Sequence, residues 1–195
     1  FEPEGDLVSV PAFAMPGGRG EYKVAFGLPK ASRADLEAFR PNLVHVSAPE
    51  FLGHAAVAWA RDNGIANVAS LHTRFETYPR YYGIGFVEPW LIRRLTRFYN
   101  KFDRVLVPGN SIAELIKSWG VRTPISIWSR GVDHARFNPQ RRDDAWRRDL
   151  GIPDDVPAIG FLGRLVLEKG LDIFAEVARE LKRREVPHRI LVIGE

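Results

Sequence analysis

Two cations, Arg164 and Lys169, stand in the stretch Gly160-Phe161-Leu162-Gly163-Arg164-Leu165-Val166-Leu167-Glu168-Lys169-Gly170-Leu171-Asp172. The apolar run from Ala158 to Leu162 has the length of a buried strand. Leu171, Phe174, Ala175, Ala178 and Leu181 then recur at helical spacing. The cations therefore fall between the carboxyl end of a strand and the start of a helix, which is where an open parallel sheet binds its ligands. The free N–H groups and positive end of a helix favour an anion there, and two added cations suit a diphosphate.

His72 is the second candidate. It lies in Ser70-Leu71-His72-Thr73-Arg74-Phe75, at the carboxyl end of another strand. A lone histidine is more often structural, but its place at a strand end favours a cleft. His45 falls mid-strand and reads as packing; His54, His134 and His188 have no supporting context. Glu50, in Ser47-Ala48-Pro49-Glu50-Phe51-Leu52-Gly53, either contacts a ligand hydroxyl or favours a helix N-terminus. Tyr81, with Glu76, Tyr78, Arg80 and Tyr82, lies in the stretch after His72. Such a stretch suits sugar or head-group contact, and ordinary surface loops have the same composition.

The elements that must position these groups alternate. Val8–Val10 and Tyr22–Phe26 are strand candidates, and Ser32 is a plausible N-cap for a helix reaching Arg40. Strands are expected at Leu43–Val46, Ala66–Leu71, Arg104–Val107 and Ile125–Trp128. Helices are expected at Phe51–Asn63, Trp90–Lys101 and Ser111–Trp119, the first and last closed by Gly64 and Gly120. Ser129 to Arg142 breaks the rhythm. A short helix from Asp144 to Leu150 follows, and a new strand–helix–strand unit begins at Ala158. Alternation of this kind means α/β architecture with a mainly parallel sheet. A boundary is expected near residue 131, separating a domain over 1–130 from one over 131–195.

The loop at Gly163-Arg164…Lys169-Gly170 resembles the donor-site loop of the retaining nucleotide-sugar glycosyltransferases of family 4, which have the GT-B fold. Ser129-Arg130-Gly131-Val132-Asp133, followed by Phe137 and Pro139, resembles the family's interdomain segment, with Arg130 where Asn is common. There Gly131 and Asp133 would form the hinge, Gly131 by virtue of its freedom to take positive φ. The resemblance implies two Rossmann-like domains, both incomplete here. It also implies diphosphate contacts from Arg164, Lys169 and Gly163, and a cleft-facing His72. Glu50 and Tyr81 fall on the acceptor side. It implies transfer of a hexose from GDP-mannose or a UDP-hexose to a lipid or glycan hydroxyl with retained configuration, with no cofactor and no metal. The run from His72 through Trp128 to Asp133 resembles the branch of mannosyl- and sulfoquinovosyl-transferases that act on lipids. A non-catalytic nucleotide-sugar-binding or scaffold protein of the same fold is the alternative. Glu168 and Glu176 have the spacing of the family's paired glutamates but belong to the diphosphate loop and its helix; the family's pair lies further downstream.

Bulk properties set the remaining bounds. The 195 residues are 45% hydrophobic, enough for a real core. The chain begins at Phe1 and ends on an apolar strand that a following helix should cover, so an internal part of a longer protein is expected. There is no cysteine and no apolar run of membrane-spanning length. A cytoplasmic location, peripheral on the inner face of a membrane, is the expectation. The net charge of +4 suits phosphorylated partners, and no nucleic-acid motif accompanies it. Arg93, Arg97 and Lys101 share one helical face, with Leu91, Leu95, Phe98 and Phe102 on another. That basic face either rests on an anionic membrane surface or is simply solvated.

Overall fold

A computed structural model describes residues 9–14, 23–166 and 169–194. Two compact units make up the chain: Phe1–Pro79 with Phe86–Arg130, and Arg80–Gly85 with Gly131–Glu195.

The first unit opens with an antiparallel pair, β1 (Ala12–Ala14) and β2 (Lys23–Ala25). The strand expected from Val8 to Val10 is instead found after Pro11, and Val8 lies outside the described residues. Helix α1 (Lys30–Phe39) starts directly after Pro29, whose carbonyl accepts from the Arg33 amide at 3.0 Å. Ser32 is therefore inside the helix and not its cap; proline's fixed φ supplies the entry.

Four parallel strands follow in simple spatial order: β3 (Leu43–Val46), β4 (Ala66–Ser70), β5 (Arg104–Val107) and β6 (Ile125–Ile127). Between them run α2 (Phe51–Asp62), the short α3 (Tyr78–Tyr81), α4 (Glu88–Tyr99) and α5 (Asn110–Ser118). Val46, Ala69 and Val105 are in register across three strands and join one core with Val57 of α2, Leu95 and Phe98 of α4, and Ile116 of α5. These helices thus share one face of the sheet. Each fully buried side chain of the Val57 or Phe98 kind contributes about 1.5–3 kcal/mol of transfer free energy. Strand alternation sends the intervening residues His45, Val68, Ser70, Leu106 and Ser126 to the opposite face.

The second unit holds α6 (Asp144–Asp149), β7 (Ala158–Leu162), α7 (Leu171–Arg183) and β8 (Arg189–Ile193). The Asp143 carboxylate caps α6 by accepting from the Trp146 amide at 2.9 Å. β7 and β8 pair in parallel, and Phe161 of β7 meets Phe174 of α7 at 5.5 Å between ring centroids. The fold class is α/β with parallel strands in both units, as the alternation required.

Candidate functional site

The carboxyl ends of the first unit's strands bring together side chains from three of them. Trp128, the first residue past β6, donates its amide to the Val107 carbonyl at 2.7 Å. Its indole is 5.4 Å from the His45 ring and 5.8 Å from the His72 ring. His45 Nε2 is 2.9 Å from Ser70 Oγ. Burial first, and the charge of His72 second, hold the His45 imidazole below its usual pKa. His72 itself is exposed.

The loop leaving His72 is tied down from within. Glu76 is buried, and its Oε1 accepts from Arg74 Nε at 2.6 Å. The Arg74 carbonyl accepts from the Thr77 amide and hydroxyl. Tyr99, buried in α4, has its phenol pushed up, by burial first and by the Glu76 charge second. Glu50 is exposed immediately before α2 and makes no side-chain cap. Tyr81 is exposed at the end of α3 and clusters with the second unit.

In the second unit the strand ends approach closely. The Gly163 amide donates to the Ile193 carbonyl at 3.0 Å. Gly163 has φ of 151°, and a Cβ on Gly194 would stand 1.8 Å from the Gly163 carbonyl oxygen. The backbone after β7 and β8 is therefore bare by steric necessity. Arg164 and Lys169 are exposed in the connection from β7 to α7, where Val166 donates to the Arg164 carbonyl and Lys169 to the Val166 carbonyl. Gly170, at φ 72°, enters α7, and its carbonyl accepts from Phe174. Leu167 and Glu168 lie outside the described residues.

At the expected hinge the backbone does not use the positive φ open to glycine. Gly131 is not in the left-handed region, and a Cβ placed on it meets nothing within 4 Å. Its backbone therefore uses no freedom peculiar to glycine. Asp133 is a local turn-former: its Oδ1 accepts from the amides of Ala135 at 2.9 Å and Arg136 at 3.0 Å.

The family model for Glycosyltransferase Family 4 matches residues 1–136. The chain belongs to glycosyltransferase family 4. Among curated relatives, the GDP-mannose-dependent alpha-mannosyltransferase of Mycolicibacterium smegmatis is 32% identical over 73% of this chain and 38% of its own length. Sulfoquinovosyl transferase of Arabidopsis thaliana is 30% identical over 83% of this chain and 32% of its own. Alpha-monoglucosyldiacylglycerol synthase of Streptococcus pneumoniae is 24% identical over 97% of this chain and 43% of its own. This family 4 chain thus spans about two-fifths of the length of the first relative it matches.

In this family 4 chain, sequence reasoning passed over Trp128, His45 and Ser70. His45 is mid-strand and packs, as expected, but on Trp128: its partly exposed ring lies on the sheet face opposite the helices, where the alternation Val44-His45-Val46 sends it. That alternation was a readable signal; the meeting with Trp128 was not. Lys101 lies past the end of α4, half-buried, its Nζ 3.4 Å from His54 Nδ1. It therefore leaves the outward basic face, which holds Arg93, Arg94 and Arg97 instead. Among the described residues no cluster of acidic and imidazole side chains could hold a metal, and no helix is long and apolar enough to cross a membrane.

Proposed function

We propose that the full-length protein is a retaining hexosyltransferase that takes GDP-mannose or a UDP-hexose as donor and a lipid hydroxyl as acceptor. The observation that carries the reading is the connection from β7 to α7, where Gly163, Arg164 and Lys169 lie between a parallel strand's carboxyl end and a helix N-terminus. The relatives' names support the donor and acceptor classes: two transfer mannosyl or sulfoquinovosyl groups and one makes a glucosyl lipid.

In the proposed reaction Arg164 and Lys169 hold the donor's diphosphate. As the glycosidic bond breaks, negative charge grows on the leaving diphosphate, and fixed cations lower the energy of that state more than of the ground state. Two cations and the positive end of α7 offset this charge, and no resident divalent ion is required in the proposal. The bare backbone at Gly163 lets the phosphates approach. His72 orients the sugar and the incoming hydroxyl. The hydroxyl oxygen forms the new bond to the anomeric carbon, the diphosphate leaves with the electron pair, and the hydroxyl proton passes to solvent or to the departing phosphate.

The outward side of α4 supplies the membrane contact in this reading. Arg93, Arg94 and Arg97 are exposed there, with Trp90 exposed and stacked under Arg94 at 5.0 Å. Such a face suits peripheral binding to an anionic leaflet, placing the enzyme on the inner face of a membrane.

The test is nucleotide release by the purified full-length protein from a panel of UDP-, GDP- and ADP-sugars, with and without membrane lipid. Lipid-stimulated release from one donor, reduced at least about tenfold by Lys169→Ala, is expected. Wild-type turnover in that variant overturns the diphosphate assignment. Nucleotide-sugar binding with no release from any donor establishes the non-catalytic alternative.

A further inference from the structure

An exposed imidazole that acts on a substrate must be held in one orientation, and His72 has little to hold it. Among the described residues it makes no hydrogen bond, and its ring contact is with Trp128, at 5.8 Å and a tilt of 58°. Trp128 is itself well fixed. Its amide extends the ladder onto Val107 at 2.7 Å, and its indole packs at 5.4 Å on His45. His45 is pinned in turn, through Nε2, to the buried hydroxyl of Ser70 at 2.9 Å. The series Ser70, His45, Trp128, His72 thus runs from a buried strand residue out to the exposed ring. It draws on β3, β4 and β6, so no one segment of the chain can form it alone.

We propose that Trp128 is the positioning residue for His72, with His45 and Ser70 as its brace. The proposal deepens the transferase reading, since it matters to catalysis only if His72 faces the substrate. Trp128 makes no bond to the reacting groups in it. Its indole restricts the His72 ring to the orientation that meets the sugar and the incoming hydroxyl. A misplacement of about 1 Å in such a group costs on the order of a hundredfold in rate. Half of the Trp128 surface is exposed, at 49%, so its replacement removes a ring contact without emptying the core.

The experiment has two arms on the full-length protein. In the first, histidine ring resonances are followed by NMR after selective labelling. Trp128→Leu is expected to shift the His72 ring protons through loss of the indole ring current. Trp128→Phe is expected to keep much of that shift and to guard against misreading a folding defect. His45→Gln is expected to move the His72 signals more in the wild-type background than in Trp128→Leu, where only the direct electrostatic coupling of the two imidazoles is left. In the second arm, kinetics of nucleotide release are measured in a double-mutant cycle. Trp128→Leu is expected to lower kcat about tenfold or more with the donor KM little changed, Trp128→Phe to restore most of it, and Trp128→Leu to add no further loss to His72→Ala. Unchanged His72 resonances in Trp128→Leu, or losses that multiply independently of His72, overturn the proposal. A wild-type protein that releases nucleotide from no donor removes the transferase reading, and the resonance arm then decides the positioning on its own.

Discussion

His45 and His54 both keep their imidazoles below the ordinary range, and burial is the first cause at each. At His45 the second cause is His72. At His54 the further causes are Lys101 and then Arg94. The consequence for stability has a definite sign. An unfolded histidine takes its proton near pH 6.5, whereas these two in the folded unit take theirs only at lower pH. Below about pH 6.5 the unfolded chain therefore binds more protons, and stability falls as pH drops toward the folded-state values. Above about pH 6.5 both are neutral in either state and the loss is absent. Thermal unfolding of the full-length protein from pH 8 to pH 5 is expected to show a falling Tm below about pH 6.5, flattened by His45→Gln and His54→Gln together. A Tm in the double variant that falls as steeply as in the wild type would remove the histidines from this account.

At the scale of elements, the join between β3 and α2 leaves no room for a side chain at Gly53. A Cβ on Gly53 would stand 2.2 Å from the Ala48 carbonyl oxygen and 2.9 Å from Val46 Cγ1. Backbone cannot yield as a side-chain tip can, so Gly53→Ala must push α2 away from the end of β3 and the turn at Ala48. The expected cost is about 1–3 kcal/mol, read as a lower midpoint in urea. Gly131, where a Cβ would meet nothing within 4 Å and φ is outside the left-handed region, is the control, and Gly131→Ala is expected to shift the midpoint little. Equal midpoints for the two variants would contradict the geometry. The same elements show why parts of the fold were legible. β3, β4, β5 and the buried stripe of α4 follow from periodicity, because one face of each meets a core that selects apolar residues at a fixed interval. The start of α1 was set by Pro29 more strongly than by the better-looking cap at Ser32. The strand at Ala12–Ala14 is three residues long, too short for alternation to declare itself. The assembly of Trp128 with His45 and His72 depends on strand order, which spacing along the chain does not encode.

For the molecule as a whole, the open question is what the charge of +4 faces. Part of the basic surface is paired locally: Arg183 and Arg184 both bind Glu180, and Arg148 binds Asp154. The outward side of α4 differs. Leu95, Phe98 and Tyr99 are buried against the core, which forces Arg93, Arg94 and Arg97 outward, and Trp90 of the same helix is 56% exposed under Arg94. Cations beside exposed aromatic rings suit the boundary between head groups and acyl chains. Each cation near an anionic surface is worth about 1 kcal/mol, so three should raise vesicle affinity about a hundredfold. Full-length protein is therefore expected to float with phosphatidylglycerol-containing vesicles and not with phosphatidylcholine alone. That binding should weaken as salt shortens the reach of the charges. Replacing Arg93, Arg94 and Arg97 by Glu should abolish flotation, whereas Trp90→Ala should weaken it at every salt concentration, because its contribution is apolar burial. Equal flotation of the wild type and the triple variant would mean that α4 presents an ordinary solvated face, and that any lipid acceptor is reached from elsewhere on the protein.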